Sequence, residues 1–201
     1  MVRFAAIVEG HGECEAVPVL IRRIAATLDP GLAVSTGPVL RVPASRLGKP
    51  NELERAVELA ARKNAGQGAI LVLLDCDDGC PATQGPQLRK RARAARADLP
   101  LSVVLAKREY EAWFLAAAES LRGKHGLPRD LVGPAEPEEV RGAKQWLASR
   151  LPRDQGYAES TDQPALTALF DMNDARSAAS FDKCYREIAG LLKVLRERST
   201  P

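Results

Sequence analysis

The sequence has few cysteines and few aromatic residues. Its 201 residues include four cysteines (Cys14, Cys76, Cys80 and Cys184), and aromatic side chains make up only 4%. The cysteines form no paired Cys-x-x-Cys set, so the pattern indicates neither a disulfide scaffold nor a zinc site built on two cysteine pairs. Because 45% of the residues are hydrophobic, we expect a core of mainly aliphatic side chains.

Long hydrophobic runs are also missing. The apolar stretch 4–8 ends at Glu9, and it is too short for the core of a signal peptide or for a membrane span. We therefore expect a cytoplasmic protein with reduced thiols and no membrane partner.

The sequence lacks a strong excess of charge of either sign. It has 29 basic and 26 acidic residues, with a formal net charge of +3. This balance neither requires nor excludes a nucleic-acid partner, because such surfaces depend on clustering rather than on totals. The length suits one domain with an appended lobe, and it allows a sizeable core.

Short apolar runs that alternate with helical patterns predict an α/β fold. The predicted strands are residues 4–8, 39–42, 69–74 and 101–106. The predicted helices between and after them are residues 15–28, 51–63 with Asn51 as the N-cap, 87–97, and a segment ending at Ala118. This alternation is typical of a doubly wound, mostly parallel sheet of about four strands with helices on both faces.

The character of the sequence changes after residue 118. Strand-like runs disappear and prolines become frequent. We predict an α/β domain over residues 1–118 and a helical C-terminal appendage over residues 119–201, packed on that domain. Its helices are expected near residues 138–150, 163–170 and 181–198.

Acidic residues follow three of the four predicted strands. Glu9 follows the first strand, Asp75 follows the third, and Glu109 and Glu111 follow the fourth. Ligands of open parallel sheets bind outside the carboxyl ends of the strands, so these side chains should converge at one edge. Grouped carboxylates repel one another unless cations neutralise them, and oxygen ligands suit Mg²⁺ or Mn²⁺.

Spacing within the two acidic motifs suggests which residues could bind the same ion. On an extended segment, Asp75 and Asp77 would point the same way and could reach one ion. Glu9 and Glu13 are four residues apart across a glycine-rich turn and could bracket a second ion. Any one of these residues alone is best interpreted as a loop carboxylate exposed to solvent. Their combination in one chain favours a metal site.

The two motifs together resemble those of the Toprim superfamily. Its pattern is a glutamate after the first strand, often within Glu-Gly-x-x-Glu, and an Asp-x-Asp after a later strand. Here these are the loop 9–13 and Asp75-Cys76-Asp77. The resemblance covers roughly residues 3–106 and implies a Toprim-like, Rossmann-like fold. One departure is Gly12, where Thr or Ser is usual.

Nearly the whole chain is similar to an uncharacterised bacterial Toprim-like family, domain of unknown function 4276. The similar segments are the Glu-Gly loop and residues 75–78, 108–114, 162–166 and 180–183. By this similarity, Glu9 would be a general acid/base or metal ligand, and Asp75 and Asp77 would be metal ligands. Similarity to Toprim nucleases of the overcoming-lysogenization-defect type would add Glu13 and Asp78 at a second ion.

Further residues could assist such a site. Lys107 is a candidate catalytic cation that would neutralise developing charge. Supporting roles are possible for His11, Arg108, Glu109, Glu111 and Lys183. Helical spacing would place Arg89, Arg93 and Arg96 on one face that could grip phosphates; the alternative is a solvated basic face.

The leading hypothesis is a nuclease that hydrolyses DNA or RNA with one or two Mg²⁺ or Mn²⁺ ions. One alternative is a non-catalytic accessory or sensor module that binds a metal-nucleotide or a nucleic-acid end and works with a larger partner such as an ATPase. A third is a small-molecule phosphotransferase or phosphatase, in which Asp75-x-Asp77 supplies the nucleophile and the acid. The exact substrate and the oligomeric state are not predicted.

Overall fold

A four-stranded parallel sheet lies between two layers of helices. The computed structural model describes residues 1–47, 49–152 and 155–199. Its strands are β1 (Val2–Val8), β2 (Val34–Arg41), β3 (Ala69–Asp75) and β4 (Leu101–Ala106). They pair in the order β2-β1-β3-β4, and every pairing is parallel. The sheet order reverses between β1 and β3, which is where open α/β sheets bind their ligands.

The helices follow the strands and then fill the C-terminal part of the chain. They are α1 (Glu13–Leu28), α2 (Ala44–Leu47), α3 (Glu52–Lys63), α4 (Pro81–Ala95), α5 (Ala112–Ala116), α6 (Ala143–Ala148), α7 (Glu159–Leu169), α8 (Met172–Ala175) and α9 (Ala179–Ser199). Two 3₁₀ turns occur at Ala118–Leu121 and Pro137–Glu139. None of the helices within the described ranges is long and apolar enough to cross a membrane.

Alternation along the strands divides the core into two clusters. On β1, Phe4, Ala6 and Val8 face a cluster that includes α1, α5, α7 and α9, while Ala5 and Ile7 face a cluster formed with α3 and α4. Successive side chains of a strand point to opposite faces of a sheet, so helices cover both faces. This confirms the predicted α/β class and parallel sheet.

The C-terminal helices share the larger cluster with α1 and the strands. Trp113 on α5 and Phe181 on α9 are fully buried, with ring centroids 5.2 Å apart. Leu166 on α7 belongs to the same cluster. Residues on both sides of position 118 therefore build one core, and the domain boundary at that position stays a prediction.

The second strand is longer than predicted. Its pairing with β1 shifts between Phe4↔Thr36 and Ala6↔Val39, so Gly37 and Pro38 form a bulge opposite one residue of β1. A proline is tolerated there because β2 is an edge strand. The predicted strand 39–42 begins five residues late and ends one residue late relative to β2, because a bulge at Gly-Pro interrupts the strand pattern.

Several helix predictions were wrong at their ends. α4 begins at Pro81, six residues before the predicted start, because proline is well tolerated at the first helical position. The predicted helix 138–150 is interrupted at Gly142, whose φ is +74°. Asn51 precedes α3 with a φ of +62°, but its side chain makes no capping hydrogen bond.

A glycine allows α1 and α7 to approach closely. A Cβ on Gly12 would lie 2.3 Å from Gln163 Oε1 and 2.4 Å from the carbonyl oxygen of Glu159. Because the second contact is with backbone, α7 would have to move to accept any side chain. This close contact explains why glycine stands where Thr or Ser is expected.

We expect Gly12→Ala to lower the free energy of unfolding by about 1–3 kcal/mol, the usual cost of overpacking. The matched control is Gly190→Ala on α9, where an added Cβ meets nothing within 4 Å. That change should stabilise the protein by about 0.5–1 kcal/mol, because alanine is the better helix former. Urea unfolding of both variants measures the difference; equal effects would contradict the close contact.

Candidate functional site

Four acidic side chains gather where the sheet order reverses. Glu9 follows β1, Asp75 ends β3, Glu13 begins α1, and Glu111 precedes α5. Glu13 and Glu111 are 3% and 0% exposed, while Glu9 and Asp75 are half-buried. The topology therefore brings together residues that are up to about a hundred positions apart, as expected for the carboxyl ends of parallel strands.

Glu13 holds the loop that carries Glu9. Its carboxylate accepts hydrogen bonds from the backbone N–H groups of Glu9 and Gly10, both at 2.9 Å. Burial raises the pKa of Glu13, the two backbone N–H groups oppose this rise, and the charge of Glu9 adds to it. The carboxylate is thus buried at a helix N-terminus, where negative charge is favoured.

Asp75 ties the end of β3 to the loop after β4. Its Oδ1 accepts the backbone N–H of Tyr110 at 2.9 Å. Burial raises the pKa of Asp75 well above its ordinary value, and repulsion from Glu13 and Glu111 adds to the effect. The side chain is therefore held in place while its charge remains poorly compensated.

Glu111 is the most deeply buried member of the group. Its Oε1 accepts hydrogen bonds from the Tyr157 hydroxyl at 2.9 Å and from the Gln163 amide at 3.1 Å. Burial raises the pKa of Glu111 to about 7. Its Oε2 is buried with no hydrogen-bond partner among the described residues, and the same holds for Oε2 of Glu9. Burial also raises the pKa of Glu9, with repulsion from Asp77 as the next cause.

Lys144 on α6 supplies the positive charge that opposes this group. Its ammonium lies 2.9 Å from Glu159 Oε1, and its backbone N–H donates to Glu109 at 3.2 Å. The charge of Lys144 lowers the pKa of each of the four carboxyls and partly offsets their burial. Sequence reasoning missed Lys144, because nothing in its local pattern distinguishes it from a surface lysine.

The Asp-x-Asp segment is not extended beyond β3. Asp77 has a φ of +45°, and its backbone forms an isolated bridge with Arg108. The premise that strand alternation aligns Asp75 with Asp77 is therefore wrong, although Asp77 is close enough to raise the pKa of Glu9. Asp78 is exposed and pairs with Arg108 at 2.5 Å and with Arg141 at 3.0 Å.

The predicted cations form ion pairs of their own. Lys107 and Arg108 both pair with Glu139. Lys183 pairs with Glu187, 3.0 Å away on α9. His11 is exposed in the loop after β1. The Arg108 guanidinium contacts both Asp78 and Glu139. Because Glu139 also pairs with Lys107, Arg108 connects Lys107 to the loop that follows β3.

The three arginines predicted on one helical face are not brought together. Arg89 and Arg93 line the same cavity beside α9. Arg96 lies outside α4, which ends at Ala95, so the helical spacing does not apply to it. Its guanidinium pairs with Asp98 at 2.7 Å and with Glu58 at 3.5 Å.

The acidic group has features that bear on the binding of a divalent ion. Within the parts of the chain that the structure describes, no three His, Cys, Asp or Glu side chains are arranged to hold a metal. However, buried oxygens of Glu9 and Glu111 lack partners, and four carboxyls have raised pKa values. The oxygen-donor chemistry of these residues therefore suits Mg²⁺ or Mn²⁺, whereas the described side chains are not preformed around an ion.

Fold and site together define an α/β protein with a buried acidic site at the switch point of a parallel sheet. The chain belongs to the DUF4276 family, described as a domain of unknown function, which matches residues 8–189. The match includes all four carboxyls and Lys144. No curated protein and no solved structure matches the chain.

We expect Glu111→Gln to stabilise the metal-free protein above neutral pH. Between 4.5, its ordinary pKa, and about 7, the folded state keeps a proton that the unfolded state loses, so stability falls as pH rises. Glutamine abolishes this loss and should add about 2–3 kcal/mol at pH 8, with little change at pH 4.

Urea unfolding in EDTA at both pH values measures this effect. Glu197→Gln is the control, because Glu197 is exposed on α9. A Glu111→Gln variant that is less stable than the parent at pH 8 would show that the charged form of Glu111 is favoured by the fold.

Proposed function

We propose that this protein is a divalent-metal-dependent phosphodiesterase of the Toprim type that hydrolyses DNA or RNA. The observation that carries the proposal is the gathering of Glu9, Glu13, Asp75 and Glu111 at the switch point, with a buried oxygen of Glu9 left unpartnered. The resemblance of the Glu-Gly loop and of Asp75-x-Asp77 to Toprim motifs supports the reaction class. Under this proposal the protein works on nucleic acid in the cytoplasm.

Glu9, Asp75 and Asp77 would hold one Mg²⁺ or Mn²⁺, and Glu13 and Asp78 are candidates for a second. A bound ion of this kind polarises the scissile phosphate and activates water. Asp78 is the weaker candidate, because two arginines already neutralise its charge. One carboxylate oxygen of Glu13 accepts hydrogen bonds from backbone N–H groups of the Glu-Gly loop. Its other oxygen is left to bind an ion.

Protein groups around the site can move protons and bind phosphate. Burial and Asp77 raise the pKa of Glu9, which brings this carboxyl closer to the pH at which a general acid or base is most effective. Arg108 presents a planar guanidinium beside Asp78, a geometry that suits phosphate oxygens. Lys107 lies in the same ion-pair network through Glu139.

A non-catalytic accessory or sensor module, working with a larger partner such as an ATPase, is the second candidate. One observation favours it: Lys144 already opposes the acidic charge, and no metal-holding trio is preformed in the described residues. The phosphotransferase alternative has less support than either of these candidates. Oδ1 of Asp75 already accepts a hydrogen bond from the Tyr110 backbone N–H, which leaves only the other oxygen to act as a nucleophile.

The first test is cleavage of supercoiled plasmid, linear duplex, single-stranded DNA and RNA with Mg²⁺ or Mn²⁺. Asp77→Ala and Asp75→Asn should each lower the rate by about a hundredfold or more, on the scale of losing a group that acts in the transition state. Asp98→Asn is the matched control, because Asp98 is exposed and pairs with Arg96.

Cleavage that survives both site substitutions would refute the assignment. Absence of cleavage, together with Mn²⁺ binding that needs Asp77, would instead favour the accessory role.

A separate prediction concerns Lys144. Lys144→Met leaves the carboxyls without their counter-charge, so we expect the metal-free protein to lose about 1–3 kcal/mol of stability at pH 8. The same change removes a competitor of the metal, and Mn²⁺ affinity should rise roughly tenfold. Calorimetric Mn²⁺ titration and melting in EDTA measure both effects.

Lys193→Met is the control for charge alone, because Lys193 is exposed on α9. If Lys144→Met binds Mn²⁺ more weakly than this control does, Lys144 assists metal binding and does not compete with the metal for the carboxylates.

A further inference from the structure

A cavity of about 730 Å³ opens at the free edge of β4, between α4 and α9. Its walls are largely apolar and include Pro81, Ala82, Pro86, Val103 and Leu105. Cavities of this volume, with apolar walls and a few polar groups, are typical of sites for small ligands.

Ser180 places a buried hydrogen-bond donor in the cavity wall. It is 6% exposed, and its Oγ accepts hydrogen bonds from the Lys107 backbone N–H at 3.1 Å and from Trp113 Nε1 at 2.8 Å. These two bonds occupy both lone pairs of the hydroxyl oxygen. The hydroxyl also carries one hydrogen that it can donate to a ligand oxygen in the cavity, whereas the backbone N–H of Ser180 already donates to Glu138 Oε1 at 2.9 Å.

Cations surround the same part of the cavity. Arg89, Lys107 and Lys183 line it, against a single acidic residue, Glu138. All three pair with glutamates outside the lining, Lys107 with Glu139, and Arg89 and Lys183 with Glu187. Each ammonium group carries three donors, however, and can bind a further oxygen. The cavity thus combines an apolar compartment with a cluster of donors suited to an anion.

Ion pairs link the cavity wall to the loop that follows β3. Gly79 and Cys80 in its wall directly follow Asp78. On the other side, Lys107 in its wall pairs with Glu139, and Glu139 also pairs with Arg108, which contacts Asp78. A ligand whose anionic group reaches Lys107 would therefore lie next to the ion-pair network that holds Asp78.

We propose that this cavity binds one nucleotide of the substrate, with the base against the apolar walls and a phosphate at Ser180, Lys107 and Lys183. The inference rests on the proposed function and narrows its substrate. A base inside a duplex cannot enter a pocket without leaving the stack. The preferred substrate is accordingly a single strand or a frayed end of DNA or RNA.

The test is calorimetric titration of the full chain with dTMP and AMP in EDTA, where no metal contributes. Both mononucleotides should bind saturably, and more tightly than thymidine, adenosine or inorganic phosphate. Lys183→Met should weaken binding about tenfold, the scale of one charge-assisted hydrogen bond. Ala82→Trp should abolish binding, because Ala82 lies at the exposed start of α4 and a large ring there fills the cavity.

Lys193→Met serves as the control on the same helix and should bind as the parent does. Absence of saturable mononucleotide binding, or unchanged binding in Ala82→Trp, would overturn the cavity site whatever the nuclease assays show. Nucleotide binding that persists in EDTA and in Asp77→Ala would support the cavity site, even if no substrate is cleaved. Absence of cleavage would overturn only the proposed nuclease reaction. The two proposals can therefore fail separately.

Discussion

Repulsion among buried carboxylates at the switch point constrains the rest of the structure. Removing several acidic groups from water is costly unless hydrogen bonds or positive charges compensate. Backbone N–H groups donate hydrogen bonds to Glu13 and Asp75. Side chains of the C-terminal region donate hydrogen bonds to Glu111, and the positive charge of Lys144 partly compensates the negative charge of the group. The compensation is incomplete, because an oxygen of Glu9 and one of Glu111 remain without partners. Under the proposed function, a divalent cation would supply the missing positive charge.

The C-terminal helices complete both the core and the site. Lys144 lies on α6, Tyr157 lies between α6 and α7, and Gln163 lies on α7. α7 reaches the Glu-Gly loop because Gly12 lets it approach within contact distance. Close packing of α7 on α1 therefore sets the surroundings of Glu111, so that a change in helix packing would alter the electrostatics of the acidic group.

An ion-pair network joins the loop that follows β3 to the cavity at the edge of β4. Arg108 contacts Asp78 and Glu139, and Glu139 also contacts Lys107 in the cavity wall. Under the two proposals, the acidic group would bind a cation and the cavity would offer donors to an anion. A phosphodiester that carries a base would use both, its charged backbone at the metal and its base on the apolar surface.

Local patterns were sufficient to predict the strands, the parallel sheet and the positions of Glu9 and Asp75, because apolar runs and strand-end residues are defined by near neighbours. They were insufficient for the Gly37–Pro38 bulge, which only an edge position permits. The pairing of Lys144 with Glu159 and the burial of Glu111 arise from packing among helices. Contacts between distant segments depend on how whole elements pack, so tertiary structure alone decided how the acidic charge is compensated.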